Sequence, residues 1–290
     1  MCELLGMSAN VPTDIRFSFA GLTRRGGETG PHADGWGVAF HPGGRDCQVF
    51  REAAPCARSP LARLLREQPI RARLAVAHVR RANRGRPGVE NTHPFVRELW
   101  GRSWSFAHNG QLKGVKRLAL GAYRPVGTTD SEHAFCWLLG RLRARWARPP
   151  AEATLARAIE SLCRELEALG RFNVLLGDGA RLFAFCSTRL ALLTRRAPFG
   201  RATLADAAES IDFARETTPG DVVTIIATRP LTVDEDWTQL RRSTLVVLRD
   251  GELVVHAPAK AVARTGHAVP RGRPNQPQSR LRPAPLEAAA

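Results

Sequence analysis

Lysine is nearly absent from this chain: Lys113, Lys116 and Lys260 are the only three among 43 basic residues. The net charge of +16 is therefore almost wholly arginine charge. A basic surface built to neutralise phosphates would point to nucleic acid. Arginine in place of lysine along the whole chain instead matches the codon bias of a GC-rich genome, and no aromatic residues are interleaved with it to stack bases. Nucleic acid is not an expected partner of the folded part.

Long hydrophobic runs are also missing. No window approaches the roughly 20 apolar residues that span a bilayer, and the start lacks a basic segment followed by an apolar run. No membrane association is expected, and the cytoplasm is the expected location. The six cysteines, Cys2, Cys47, Cys56, Cys136, Cys163 and Cys186, form no CxxC pair. They suit neither a disulfide framework nor a zinc site. His78, His93 and His108 carry none of the spacing of helix-borne or paired metal ligands. Neither a metal nor another cofactor is expected.

With 290 residues, 43% of them hydrophobic, the chain can bury a substantial core. Composition shifts at Pro258. From 258 to 290 the chain is rich in Pro, Arg, Ala and Gln, with six basic residues against Glu287 alone. Such a segment cannot bury enough surface to offset its ordering entropy. The expectation is one domain over 1–257 and a disordered basic tail over 258–290.

Within the domain, Glu3 to Ser8, Leu74 to Val79 and Trp104 to His108 read as strands. Asn173 to Cys186 and Thr244 to His256 each place Asp-Gly between apolar runs, the signature of a type I′ hairpin. Ser59-Pro60 opens a helix that runs to Gln68. Helical spacing recurs over Asp130 to Trp146, with Asp130 as a candidate cap, and over Ala151 to Leu169. Hairpins beside helices argue for antiparallel sheets covered by helices, an α+β chain.

Cys2 follows the initiator Met1 directly. Loss of Met1 would leave a thiol and a free α-amine on one residue, and an α-amine titrating near roughly 7.7 to 8.0 can take the thiol proton. Alone, a second-position cysteine reads first as a small buried hydrophobe, because structural cysteines outnumber catalytic ones. Four polar clusters accompany it: Asp34-Gly35-Trp36-Gly37, His78 to Gly85, His108-Asn109-Gly110 and Thr128 to Glu132. Each has an ordinary reading: Arg80 as a solvated arginine, Asn109-Gly110 as a turn, Asp130 as a helix cap.

Taken together and in this order, Cys2 and the clusters resemble the class II glutamine amidotransferases, over residues 2 to about 256. The opening Met-Cys-Glu-Leu-Leu-Gly-Met-Ser-Ala-Asn is similar to that of stand-alone bacterial members. The resemblance implies an N-terminal nucleophile hydrolase fold, a four-layer α/β/β/α sandwich with Cys2 at the start of a central strand. It implies Cys2 as nucleophile, with the Asn109 side-chain amide and the Gly110 N–H as oxyanion donors. Arg80 would bind the α-carboxylate of glutamine and Asp130 its α-ammonium. Asn91-Thr92-His93-Pro94 resembles a pocket-adjacent segment of the family. Arg81, Asn83, Arg84 and Gly85 depart from the aromatic and Thr-His-Gly pattern of better-known members, which suits a larger γ-glutamyl substrate. Three functions stay open: a glutaminase delivering ammonia to a separate acceptor subunit, a stand-alone γ-glutamyl peptide or amide hydrolase, and a non-catalytic module whose basic tail contacts nucleic acid.

Overall fold

The computed structural model describes residues 2–82, 87–215, 217–256 and 262–264. In chain order the strands are β1 (Glu3–Asp14), β2 (Trp36–His41), β3 (Gln48–Glu52), β4 (Arg71–Val79), β5 (Phe95–Leu99), β6 (Arg102–Leu112), β7 (Gly170–Gly177) and β8 (Arg181–Cys186). They continue as β9 (Ala191–Arg196), β10 (Arg201–Thr203), β11 (Ser210–Asp212), β12 (Val222–Ala227), β13 (Thr238–Leu240), β14 (Thr244–Arg249), β15 (Glu252–His256) and β16 (Val262–Arg264). Four α-helices join them: α1 (Arg16–Arg25), α2 (Pro60–Glu67), α3 (Asp130–Arg145) and α4 (Glu152–Glu167).

The strands form two large antiparallel sheets, ordered β16-β13-β9-β12-β1-β4-β2-β3 and β15-β14-β8-β7-β6-β5, plus the small hairpin β10-β11. Alternation along each strand builds the layers. In β1, Leu5, Met7 and Ala9 point outward and pack with Phe19 and Leu22 of α1 and Ala62 and Leu65 of α2. Leu4 points the other way, into a core between the sheets with Leu74, Val76, Leu175, Leu182 and Ile226. The far face of the second sheet sends Phe106, Phe172, Phe183 and Phe185 against Phe135, Leu139, Ile159 and Cys163 of α3 and α4. The expected α/β/β/α sandwich is the observed one, with β1 in the middle of its sheet.

Polar contacts tie β1 across to the second sheet at two places. Near the start of β1, the Leu4 N–H donates to Thr228 Oγ1 at 2.9 Å, and Thr228 Oγ1 lies 3.4 Å from Asn109 Nδ2 of β6. Further along, the turn of the β14–β15 hairpin docks on the first sheet. Gly251 N–H donates to Ser8 Oγ at 3.1 Å and Thr224 Oγ1 donates to the Gly251 carbonyl at 2.6 Å.

Several local expectations hold. Ser59 caps α2, its Oγ accepting from Ala62 N–H at 2.9 Å, with Pro60 as first helical residue. Asp250 and Gly251 both have positive φ, 51° and 77°, as a type I′ turn needs. Others need correction. Only Gly179 is positive in the first hairpin, at 86°; Asp178 stays outside the turn centre and accepts from Ala180 and Arg181 N–H through Oδ1. β1 runs on to Asp14, well past Ser8.

β6 also continues through Asn109-Gly110 to Leu112, because Asn173, Phe172 and Gly170 of β7 pair with that stretch. An Asn-Gly pair marks a hairpin only when its own flanks can pair, and here the partner strand arrives after two helices. Thr129, not Asp130, caps α3, accepting from Glu132 N–H at 3.1 Å. Of the segment 258–290, residues 262–264 pair with β13; the rest lies outside the described residues.

Candidate active site

The register Leu4↔His78 and Glu3↔Val79 places Cys2 beside Arg80 when carried one step further. Alternation turns Cys2, His78 and Arg80 inward from the first sheet, as it turns Ala107 and Asn109 inward from the second. They meet in a cavity of about 660 Å³ at one end of the inter-sheet space. All five residues expected from the sequence, Cys2, Arg80, Asn109, Gly110 and Asp130, line it, together with His78, His93 and His108.

Cys2 Sγ accepts from Arg81 N–H at 3.3 Å and donates to the Arg81 carbonyl at 3.5 Å. Burial pushes its thiol up, against the opposing pull of the Arg81 N–H, the positive amino terminus and Arg80. The resting sulfur is a protonated thiol, so its use as a nucleophile requires a base. Its neighbour Glu3 is buried and held by Arg25 at 3.2 Å and Arg229 at 2.9 Å; Arg25, also buried, reaches Asp206 at 2.7 Å as well. That network fixes the end of β1 from its outer face.

Arg80 is 5% exposed. Its main chain is clamped by the Asp34-Gly35 segment: Arg80 N–H donates to the Gly35 carbonyl at 2.7 Å, and Asp34 N–H to the Arg80 carbonyl at 3.1 Å. Asp34 Oδ2 accepts from Ala82 N–H at 2.7 Å. The guanidinium donates to the Asp34 carbonyl oxygen at 3.2 Å, and among the described residues no carboxylate pairs with it. A buried cation without an anionic partner is set up to receive one.

Asp130 projects from the first turn of α3. Its Oδ2 accepts from Leu112 N–H at 2.8 Å and its Oδ1 from Ser131 N–H at 2.9 Å. The preceding loop is pinned by Asn91, whose Oδ1 accepts from Thr128 N–H at 2.8 Å, and by Glu132, which accepts from Gly127 N–H at 2.7 Å. Position 110 must be glycine, because an added Cβ would lie 1.8 Å from the Arg171 carbonyl oxygen and 2.6 Å from His108 Nε2. His108 bridges Ser131 Oγ at 2.8 Å and that same carbonyl at 3.0 Å, joining α3 to β7.

Burial holds the three histidines neutral: His78 is pushed down to about 3, His93 well below its usual range, and His108 down despite Asp130 nearby. His78 and His93 lie ring to ring at 4.4 Å, and their four ring nitrogens make no well-formed hydrogen bond among the described residues, the His108 main chain being the group that His78 approaches. Among those residues, no group of three or more His, Cys, Asp or Glu is placed to hold a metal ion.

The family profile described as "Glutamine amidotransferases class-II" matches residues 1–270. This chain belongs to that family. The amidotransferase is 56% identical over 256 residues to the Escherichia coli protein "Putative glutamine amidotransferase YafJ", covering 88% of this chain and all of that one. It is 41% identical to a Haemophilus influenzae relative described in the same words without a gene name, over 90% of each chain. A crystal structure of a "predicted glutamine amidotransferase" from Pseudomonas aeruginosa PA01 superposes with a TM-score of 0.70 at 47% identity, over 88% of this chain and all of that one. The glutamine phosphoribosylpyrophosphate amidotransferase of B. subtilis shares the fold at 13% identity and a TM-score of 0.56, over 92% of this chain and 50% of that one.

The sequence did not point to every residue that builds this amidotransferase site. Asn173 was read only as the start of a hairpin. Its Oδ1 accepts N–H groups from Ser187, Thr188 and Arg189, and its Nδ2 donates to the Asn109 carbonyl at 3.1 Å, which fixes β6 where the site needs it. Thr228 sits after β12 without any motif around it. No local signal marks either residue, since both act through strands distant in sequence. Asn83, Arg84 and Gly85, the departures from the family pattern, lie outside the described residues. No helix among the described residues is long and apolar enough to cross a membrane.

Proposed function

We propose that this enzyme hydrolyses the γ-amide of glutamine, or of a related γ-glutamyl compound, through a thioester on Cys2. The buried, carboxylate-free guanidinium of Arg80 in the same cavity as the Cys2 thiol carries this reading. A planar fork suits an α-carboxylate held bidentately. Asp130 keeps lone pairs for an α-ammonium after accepting its main-chain bonds. A γ-glutamyl group held between them presents its carbonyl to the sulfur.

Once Met1 is removed, the α-amine of Cys2 takes the thiol proton, and the sulfur attacks the carbonyl carbon while the C=O electron pair moves to oxygen. Asn109 and the Gly110 N–H donate to that oxyanion. Collapse breaks the C–N bond as the ammonium returns its proton to the leaving nitrogen, and ammonia departs. Water then adds to the thioester, its proton passing to the amine, and glutamate leaves as the sulfur is reprotonated. Released ammonia would pass to a separate acceptor subunit.

A second substrate reading rests on size. A cavity of about 660 Å³ falls mid-range among pockets that bury drug-sized ligands, which leaves room beyond a single amino acid for a γ-glutamyl peptide or amide.

The test is glutamate release from glutamine and from a panel of γ-glutamyl peptides. It uses C-terminally tagged protein whose mass confirms loss of Met1, with Cys2→Ala as control. Turnover lost in the folded Cys2→Ala variant is expected. Equal turnover by that variant would sink the mechanism, and turnover of peptides alone would assign the stand-alone hydrolase.

A further inference from the structure

The Asn109 amide has two orientations, related by a half-turn that exchanges its oxygen and nitrogen. In one, Nδ2 faces Thr228 Oγ1 at 3.4 Å and Oδ1 is buried with no partner among the described residues. The Thr228 hydroxyl already accepts from Leu4 N–H at 2.9 Å, so its own proton is available to a second partner. In the other orientation the Thr228 hydroxyl donates to Oδ1. The NH2 group then occupies the position that lacked a partner, in a side chain lining the cavity. The second arrangement gives the Thr228 proton an acceptor and leaves the amide N–H, rather than its oxygen, as the group that a substrate oxygen would complete; a buried polar atom left unmatched is costly.

We propose that Thr228 is a positioning residue which turns the Asn109 amide so that its N–H faces the reacting carbonyl. This rests on the glutaminase reading above. Thr228 is 2% exposed, and its main-chain N–H donates to the Leu4 carbonyl at 3.1 Å. One residue therefore ties the strand that carries Cys2 to the side chain that meets the oxyanion. Leu4 N–H, Thr228 hydroxyl and Asn109 amide form a relay in which each group has one remaining choice. Without the hydroxyl, no hydrogen-bond partner of the amide's ends among the described residues distinguishes them, and the inactive orientation becomes populated.

The kinetic test compares Thr228→Val, which keeps the shape, with Thr228→Ser, which keeps the hydroxyl. The valine variant is expected to lose about ten- to a hundredfold in kcat with KM for glutamine within about threefold, below the roughly 10²–10³ lost on deleting an oxyanion donor outright, because the amide is misdirected in only part of the molecules. The serine variant should recover most of the loss. Cys2 alkylation by iodoacetamide, which needs no oxyanion donor, should proceed at the parent rate in both. Parent-like kcat in Thr228→Val, or loss of kcat matched by slowed alkylation, would overturn the role.

A neutron structure of the parent protein reads the same point without catalysis and without a variant that must fold. Deuterium on Thr228 Oγ1 directed at Asn109 supports the proposal, and an amide nitrogen directed at Thr228 refutes it. A parent protein silent on every γ-glutamyl compound would instead remove the glutaminase reading, whichever way the amide points.

Discussion

Arg80 donates to the main-chain oxygen of Asp34, 3.2 Å away, and to no carboxylate among the described residues. The contact orients the guanidinium without neutralising it, so the protein carries a buried charge without an anionic partner among its described residues. Removing that charge should separate stability from function. In Arg80→Met we expect KM for glutamine to rise at least about thirtyfold, since truncating a buried, hydrogen-bonded charge pair costs about 2–5 kcal/mol. The melting temperature should stay equal or rise, because an unpaired buried charge opposes folding. Thermal melts beside steady-state kinetics check both halves, and a large drop in melting temperature would contradict this account of Arg80.

Glu3 has the opposite character. It is matched on both sides by Arg25 and Arg229 in a buried network. Glu3→Ala leaves Arg25 only Asp206 as a carboxylate partner, and breaking a buried pair from one side costs about 3–5 kcal/mol. Urea denaturation should show a midpoint shift of that size, with activity falling as the end of β1 loosens. A change below about 1 kcal/mol would mean that Asp206 alone suffices for Arg25.

His41, away from the cavity, is fully buried with Nε2 at 2.9 Å from Ser105 Oγ. Burial lowers it from 6.5 to about 4, against the opposing pull of Asp178 and of the Asp46 main chain. Above pH 6.5 the imidazole is neutral in both the folded and the unfolded chain, and its contribution is fully retained. Between 6.5 and about 4 only the unfolded chain takes the proton, so stability falls with pH, by about 3 kcal/mol over that window at about 1.36 kcal/mol per unit. Denaturation curves at pH 7 and pH 5 should converge in His41→Asn relative to the parent. An unchanged pH slope would show that His41 titrates normally in the folded state.

The lining of the candidate site was largely legible through the order of its polar clusters and the family they resemble. Cys2, Arg80, Asn109, Gly110 and Asp130 all reach one cavity. Antiparallel sheets covered by helices followed from hairpin signals and helical spacing, and the four-layer order from the family resemblance. What stayed hidden was long-range. Asn109-Gly110 looks like a turn until Phe172 and Asn173 arrive to pair with it. Thr228 looks like any residue after a strand until Leu4 and Asn109 are beside it. Asp130 looked like the cap of α3, but Thr129 holds that place one residue earlier and leaves the Asp130 carboxylate to Leu112 and the cavity. Local propensity identifies elements; these residues are defined by which elements meet.

The cavity takes Cys2 from one sheet and Asn109 and Gly110 from the other, and the sheets are pegged at two places along β1: at Leu4 through Thr228, and at Ser8 through Gly251. Two pegs on one strand forbid sliding as well as rotation. The alignment of sulfur against amide is thus a property of the whole sandwich, in the way that two dowels register the halves of a mould. Gly251 holds a φ of 77°, and a Cβ there would meet the Val222 carbonyl at 2.3 Å. A single methyl group at the remote peg would therefore tilt the halves and misplace a reaction whose participants it never touches.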